Sequence, residues 1–190
     1  MADMVDSKVK NYEYPRPPIF KARTRERILR EVRRRKCKVG VEIGVHRGEF
    51  SKKILERTDI ETLYLIDPWV VGGIDYPKND RDEDMRMALE AVEPHKDRVV
   101  IVRGFSMEVA DQLPNLDFIY IDGDHRYEGV KGDMETYWPK CNDGGIFAGH
   151  DFYLRHKCGV PRACYEFFDS IGHEFYVTRC GYWPSWWTIK

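Results

Sequence analysis

The chain has 190 residues, 42% of them apolar and 33% charged, with 31 basic and 32 acidic side chains and a formal charge of −1. That length and balance suit one globular domain large enough for a sheet covered by helices on both faces. No run approaches the roughly 18 apolar residues of a membrane span. The first residues, with Asp3, Asp6 and Lys8, lack the apolar centre of a signal peptide, so a cytoplasmic protein is expected. Five cysteines, Cys37, Cys141, Cys158, Cys164 and Cys180, form no C-x-x-C pair, which argues against both a disulfide framework and a zinc knuckle.

In chain order, the first twenty residues read as an extended arm, with Pro15, Pro17 and Pro18 beside Tyr12, Tyr14 and Phe20. A basic helix is expected at about 24–36, so the chain divides into residues 1–36, arm and basic helix, and a main domain at 37–190. The segment Lys21 to Lys38 holds ten basic residues against Glu26 and Glu31. It could dock nucleic acid or another anionic partner. Ile28, Leu29 and Val32 instead mark one apolar stripe, as in a surface helix with a solvated basic face.

From there strands and helices alternate. Strands are predicted at 39–43, 62–66, 99–102, 118–121 and 145–148, and helices at 49–57, about 82–92, 107–112 and 127–137. Such alternation specifies a doubly wound α/β fold with a mostly parallel sheet. A helix near 163–170 and two strands, 173–178 and 186–189, follow, the strands forming an antiparallel hairpin at one edge.

Ligands of wound sheets bind at the carboxyl ends of the strands, so those ends carry the functional reading. The first is the most informative: Val39-Gly-Val-Glu42-Ile-Gly44-Val-His-Arg-Gly48 leads from a buried strand through a glycine turn into a helix. Its E-x-G-x-x-x-G spacing departs from the G-x-G-x-x-G of dinucleotide sites. It resembles motif I of the class I S-adenosylmethionine-dependent methyltransferases, which implies a seven-stranded sheet with a C-terminal antiparallel hairpin. Asp67 closes the second strand 25 positions after Glu42, where a carboxylate can accept both hydroxyls of a ribose. The third strand ends Gly104-Phe105-Ser106, which allows contact with an adenine edge, although Ser106 reads equally well as a helix N-cap. Expected donor contacts are thus Glu42, Gly44, Gly48 and Ser51 at the first strand, Asp67 and Pro68 at the second, Gly104, Phe105 and Ser106 at the third, and Asp122 at the fourth.

The fourth strand ends Asp122-Gly-Asp124-His125, and the fifth ends Gly149-His150-Asp151. So many acids and imidazoles leaving adjacent strands need partners, because unpaired buried charge is costly. They suit a divalent cation or a general base. The runs Ile121-Asp-Gly-Asp-His-Arg-Tyr127 and Gly144 to Tyr153 resemble the metal-assisted small-molecule and sugar O-methyltransferases of the family-24 kind. That resemblance implies metal ligation by Asp124, His150 and Asp151, with Asp124, His125 or His150 as the catalytic group. His150 stands where the family pattern has an aspartate, so a divalent cation and a metal-free hydrogen-bonded cluster both stay open.

The reading is therefore a methyltransferase that uses S-adenosylmethionine, with or without Mg²⁺, Mn²⁺ or a similar ion, on a hydroxyl of a small molecule or sugar. Trp69, Tyr153, Tyr182, Trp183, Trp186 and Trp187 are candidates for an acceptor pocket, with core packing as the alternative for most of the tryptophans. A nucleic-acid methyltransferase or RNA-binding module using residues 21–38 is the rival reading, as is a non-catalytic nucleotide-binding scaffold. No membrane partner is expected, and a homo-oligomer is left open.

Overall fold

A computed structural model describes residues 12–70, 80–154, 158–179 and 183–190. Eight strands, β1 (Phe20–Ala22), β2 (Val39–Ile43), β3 (Thr62–Asp67), β4 (Val99–Arg103), β5 (Leu116–Ile121), β6 (Cys141–Gly149), β7 (Tyr176–Thr178) and β8 (Trp186–Ile189), form one sheet in the order β1-β7-β8-β6-β5-β2-β3-β4. Strands β2 to β6 run parallel, and β8 pairs antiparallel with both β6 and β7. The helices are α1 (Glu26–Arg34), α2 (Glu49–Arg57), α3 (Arg81–Val92), α4 (Ser106–Val109), α5 (Tyr127–Tyr137) and α6 (Val160–Ser170).

Side-chain alternation along the strands explains the two-sided core. On β5, Phe118 and Tyr120 face the layer of α1, α2 and α3, while Ile119 and Ile121 face that of α5 and α6. Helix α1 buries Ile28, Leu29 and Val32, the apolar stripe read from the sequence. The expected helix over 107–112 is α4 followed by a 3-10 turn at Ala110–Gln112.

The sheet gains an eighth strand over the seven expected, and it comes from the arm. Phe20 and Ala22 pair with Val177 and Thr178 on the exposed side of β7. Three residues after a proline-rich stretch are too few to produce a readable alternation. The arm is fastened further by Arg16, 2.7 Å from Asp169, and by the Tyr165 hydroxyl, which donates to the Arg16 carbonyl at 2.7 Å. The described residues ahead of position 37 therefore share the sheet and core of the main domain. Cys37, Cys141 and Cys164 are buried and Cys158 is half-buried, all four as free thiols; Cys180 lies outside the described residues. Among the described residues no helix is long and apolar enough to cross a membrane.

Phe168 on α6 is fully buried against Phe147, Phe175 and Trp186. Phe168→Ala should cost about 3–5 kcal/mol of unfolding free energy in urea titrations; a loss below about 1 kcal/mol would show that this layer does not hold the sheet.

Candidate active site

The central strands end level with one another. Ile43 is the cross-strand partner of both Ile66 and Ile121, and Ile121 is the partner of Gly149. The next residues continue the ladder: Gly44 N–H donates to Ile66 O at 2.8 Å, Asp122 N–H to Ile43 O at 2.8 Å and His150 N–H to Ile121 O at 3.0 Å. The side chains of successive strand ends are thereby set side by side around a cavity of about 1130 Å³. That is about the upper end of the range for small-molecule sites, roughly 300–1,000 Å³.

Gly44 has φ +85°, and a Cβ there would stand 2.2 Å from the Asp122 carbonyl oxygen. Only glycine permits this crossing of the β2 turn over the β5 turn. Asp67 pins the same turn. One carboxylate oxygen accepts the N–H groups of Val45 (3.0 Å) and His46 (2.9 Å), and the other accepts Trp69 N–H (2.8 Å). Three of about four acceptor positions are thus engaged by backbone, leaving capacity for one further donor, such as a ribose hydroxyl.

His46, Trp69 and Asp151 adopt positive φ of 52°, 41° and 57°. Non-glycine residues rarely do so, and such strain gathers at functional sites. Trp69 is held there by its indole N–H, which donates to His46 O at 2.9 Å. It is buried to 1% and lies outside the cavity wall, so it supports the turn and does not line an acceptor pocket. Trp186 and Trp187 are likewise core residues. Trp183, 44% exposed, lines the cavity with Tyr153 packed 5.2 Å from its ring; Tyr182 falls outside the described residues.

Of the expected donor contacts, Glu42, Gly44, Asp67, Pro68, Gly104, Phe105, Ser106 and Asp122 line this one cavity. Gly48 and Ser51 do not. Gly48, with φ +74°, opens α2 and packs on Ala88 of α3, while Ser51 is fully buried and donates its hydroxyl proton to Glu42. Ser106 donates to Asp133 of α5, an acid that sequence inspection did not single out. Burial raises the Asp133 carboxyl to about 6 despite the Ser106 hydrogen bond.

Of the expected metal ligands Asp124, His150 and Asp151, Asp151 alone belongs to the close group among the described residues, which Asp122 and His125 complete with His150 beside it. Ligand atoms of Asp122, His125 and Asp151 all lie within 4.8 Å of one another. His125 Nε2 is 2.8 Å from Asp151, and His150 Nδ1 is 3.3 Å from Asp151 and 3.5 Å from Asp122. Asp124 is turned aside: it accepts Arg126 N–H at 2.9 Å and the Arg126 guanidinium, and it packs against Gly129 in the first turn of α5. Burial opposes ionisation of Asp124, but the Arg126 hydrogen bonds prevail and lower its pKa. Its charge is committed to the helix start, and Asp122 is the carboxylate after β5 that lies with His125 and Asp151. Burial disfavours a charged His150, yet hydrogen bonds to Asp122 and Asp151 outweigh burial and raise it to about 9. Burial also works against ionised Asp151, but His125 and His150 hold its carboxyl well below the usual range.

Two carboxylates with one or two imidazoles form a nitrogen and oxygen donor set suited to a divalent transition metal or Mn²⁺. The glycine turn beside it, with Asp67 and the buried Glu42, suits a hydroxyl-bearing, cationic nucleoside. The model of a methyltransferase-domain family, type 24, matches residues 41–152. The chain belongs to this family. It is a class I, Rossmann-like methyltransferase, and S-adenosylmethionine is the methyl donor of that class.

An uncharacterized protein, R132, of Acanthamoeba polyphaga mimivirus is 29% identical over 118 residues, 59% of this chain and 50% of that protein. The chain thus spans about half the length of this curated relative. Among solved structures, a putative caffeoyl-CoA O-methyltransferase from Staphylococcus aureus aligns over 100% of this chain and 93% of its own, with 17% identity and a TM-score of 0.68. An O-methyltransferase from Bacillus cereus, solved in complex with SAH, aligns over 87% and 80% with 15% identity and a TM-score of 0.65. At these identities the structural matches establish the shared fold. They also include a precorrin-6y C5,15-methyltransferase from Geobacter metallireducens and a putative rRNA methylase from Clostridium thermocellum.

Burial is the main cause that raises the Glu42 carboxyl, from 4.5 to about 8, with Asp122 adding and Ser51 opposing. Between those two values the folded protein keeps a proton that the unfolded chain has released, so stability falls as pH rises from 4.5 to about 8. Glu42→Gln keeps an acceptor for Ser51 and removes the titration. Its stability relative to wild type, measured by denaturant unfolding across that window, should rise with pH; a constant difference would contradict the protonated, buried state.

Proposed function

We propose that the protein methylates a hydroxyl of a small molecule or sugar, with S-adenosylmethionine bound along the strand ends. The observation that carries this reading is the shared cavity, in which the glycine turn of β2 and the Asp122, His125, His150 and Asp151 cluster are neighbours. A sulfonium methyl is already electrophilic, so catalysis requires in-line alignment with the acceptor and removal of its proton.

In this reading Gly104, Phe105 and Ser106 receive the adenine, Asp67 the ribose, and the turn at Gly44 admits the chain leading to sulfur. Asp122, His125 and Asp151 would hold a divalent cation, which supplies Lewis acidity toward an acceptor oxygen when bound. His150, kept protonated near neutral pH by Asp122 and Asp151, donates a hydrogen bond that orients that oxygen, and the ionised Asp151 takes its proton. Asp124, anchored by Arg126, shapes the wall between the cluster and α5. Trp183 at the rim offers a flat apolar face to a sugar or aromatic ring.

An RNA acceptor would call on the basic segment, but much of its charge is matched locally. Arg27 and Arg34 lie 3.5 and 2.7 Å from Glu31, Arg33 is 3.3 Å from Asp59, and Lys38 is 2.6 Å from Glu61.

Methyl-labelled donor offered with sugars, phenols and RNA, with and without chelator, tests the assignment. Label is expected on a small-molecule oxygen, and Asp151→Ala should lower that turnover by about 10²-fold or more while donor affinity stays within about threefold. Label found only in RNA, or full turnover by Asp151→Ala, would reject the reading; unchanged rates in chelator would reject the cation's part in it.

A further inference from the structure

Among the described residues of the segment from Lys21 to Lys38, Arg25 is the one that lines the cavity. It stands immediately before α1, and its guanidinium carbon lies 4.5 Å from the centre of the Phe50 ring. Phe50, from the first turn of α2, packs in turn on Tyr120 at 4.3 Å. The Arg25 charge is felt by both Tyr120 and Glu42. Glu42 and Tyr120 are cross-strand partners on β2 and β5, so the guanidinium sits at the junction of these two strands.

The other arginines of the wall are committed to acids. Arg47 and Arg81 reach the buried Asp84 at 2.7 and 3.2 Å, and Arg126 holds Asp124. Arg25 is different: among the described residues no carboxylate lies within ion-pair distance of it. Stacked on Phe50, it keeps its N–H donors for a ligand. A bare guanidinium facing a cavity rich in acids is best explained by an anion that arrives with the ligand.

S-adenosylmethionine carries one such group, the carboxylate of its methionine arm. A donor with its adenine at the end of β4, ribose at the end of β3 and sulfonium toward Asp122 and Asp151 extends that arm to the β2–β5 junction. We propose that Arg25 binds the donor's carboxylate, making the residues ahead of β2 part of the donor site and selecting the intact amino acid over truncated nucleosides. The inference rests on the donor reading above.

Calorimetric titration of the full chain with S-adenosylmethionine and with its decarboxylated form, which keeps the amine and sulfonium, separates the two. Wild type should bind the intact donor about 10- to 100-fold more tightly, as expected for a charge-assisted bidentate pair. Arg25→Gln should bring the two ligands within about threefold by weakening only the intact one, and Arg25→Lys should recover part of the preference. A preference kept in Arg25→Gln overturns the proposal, as does equal weakening of both ligands, which would mark Arg25 as a support for Phe50 and Tyr120. Failure of wild type to bind either ligand would instead refute the donor reading itself.

Discussion

The level register of β3, β2, β5 and β6 is the constraint on which the site depends. Because Ile43, Ile66, Ile121 and Gly149 stand opposite one another, the residues that follow them emerge at one height. A slip of one residue in any pair would reverse which face each side chain meets. It would also lift a strand end by about 3.3 Å, enough to break contacts between Asp67 and the β2 turn or between His150 and Asp122. The apolar runs that fill both faces of these strands therefore fix the chemistry as well as the fold.

Within that frame the protein buries acids in two different ways. Asp84 and Asp151 lie against arginine or histidine, so their burial is compensated by charged partners. Glu42 and Asp133 are buried with serine hydroxyls as hydrogen-bond partners, and burial raises both carboxyls. A site that must accept a sulfonium and an ammonium group benefits from such latent negative charge, which a cation can draw out without a standing ion pair. The imidazoles of His125 and His150, packed against Asp122 and Asp151, keep the reaction end polar.

Much of this was legible in the residues. Strands β2 to β6 are apolar runs closed by glycine or acidic residues, and their ends name most of the cavity wall. The mostly parallel sheet followed from the alternation, and the hairpin from the short separation of the last two strands and from the family resemblance, while the strand order came with the structure. What escaped was decided by contacts that residue spacing does not show. Choosing Asp122 over Asp124 depends on the grip of Arg126 and the tight seat against Gly129, neither of which alters the spacing to Asp151. Asp133 meets Ser106 across 27 positions, and β1 is too short to show a period. Trp69 looked like a pocket aromatic because composition cannot reveal a residue folded back at positive φ to brace a turn.

A crystal structure with S-adenosylhomocysteine and Mn²⁺ tests the central claim most directly. The account predicts adenine beside Gly104 to Ser106, ribose at Asp67, sulfur facing Asp151, and the ion held by Asp122, His125 and Asp151. A nucleoside seated away from the β2 turn, or a crevice left empty at saturating ligand, would contradict it.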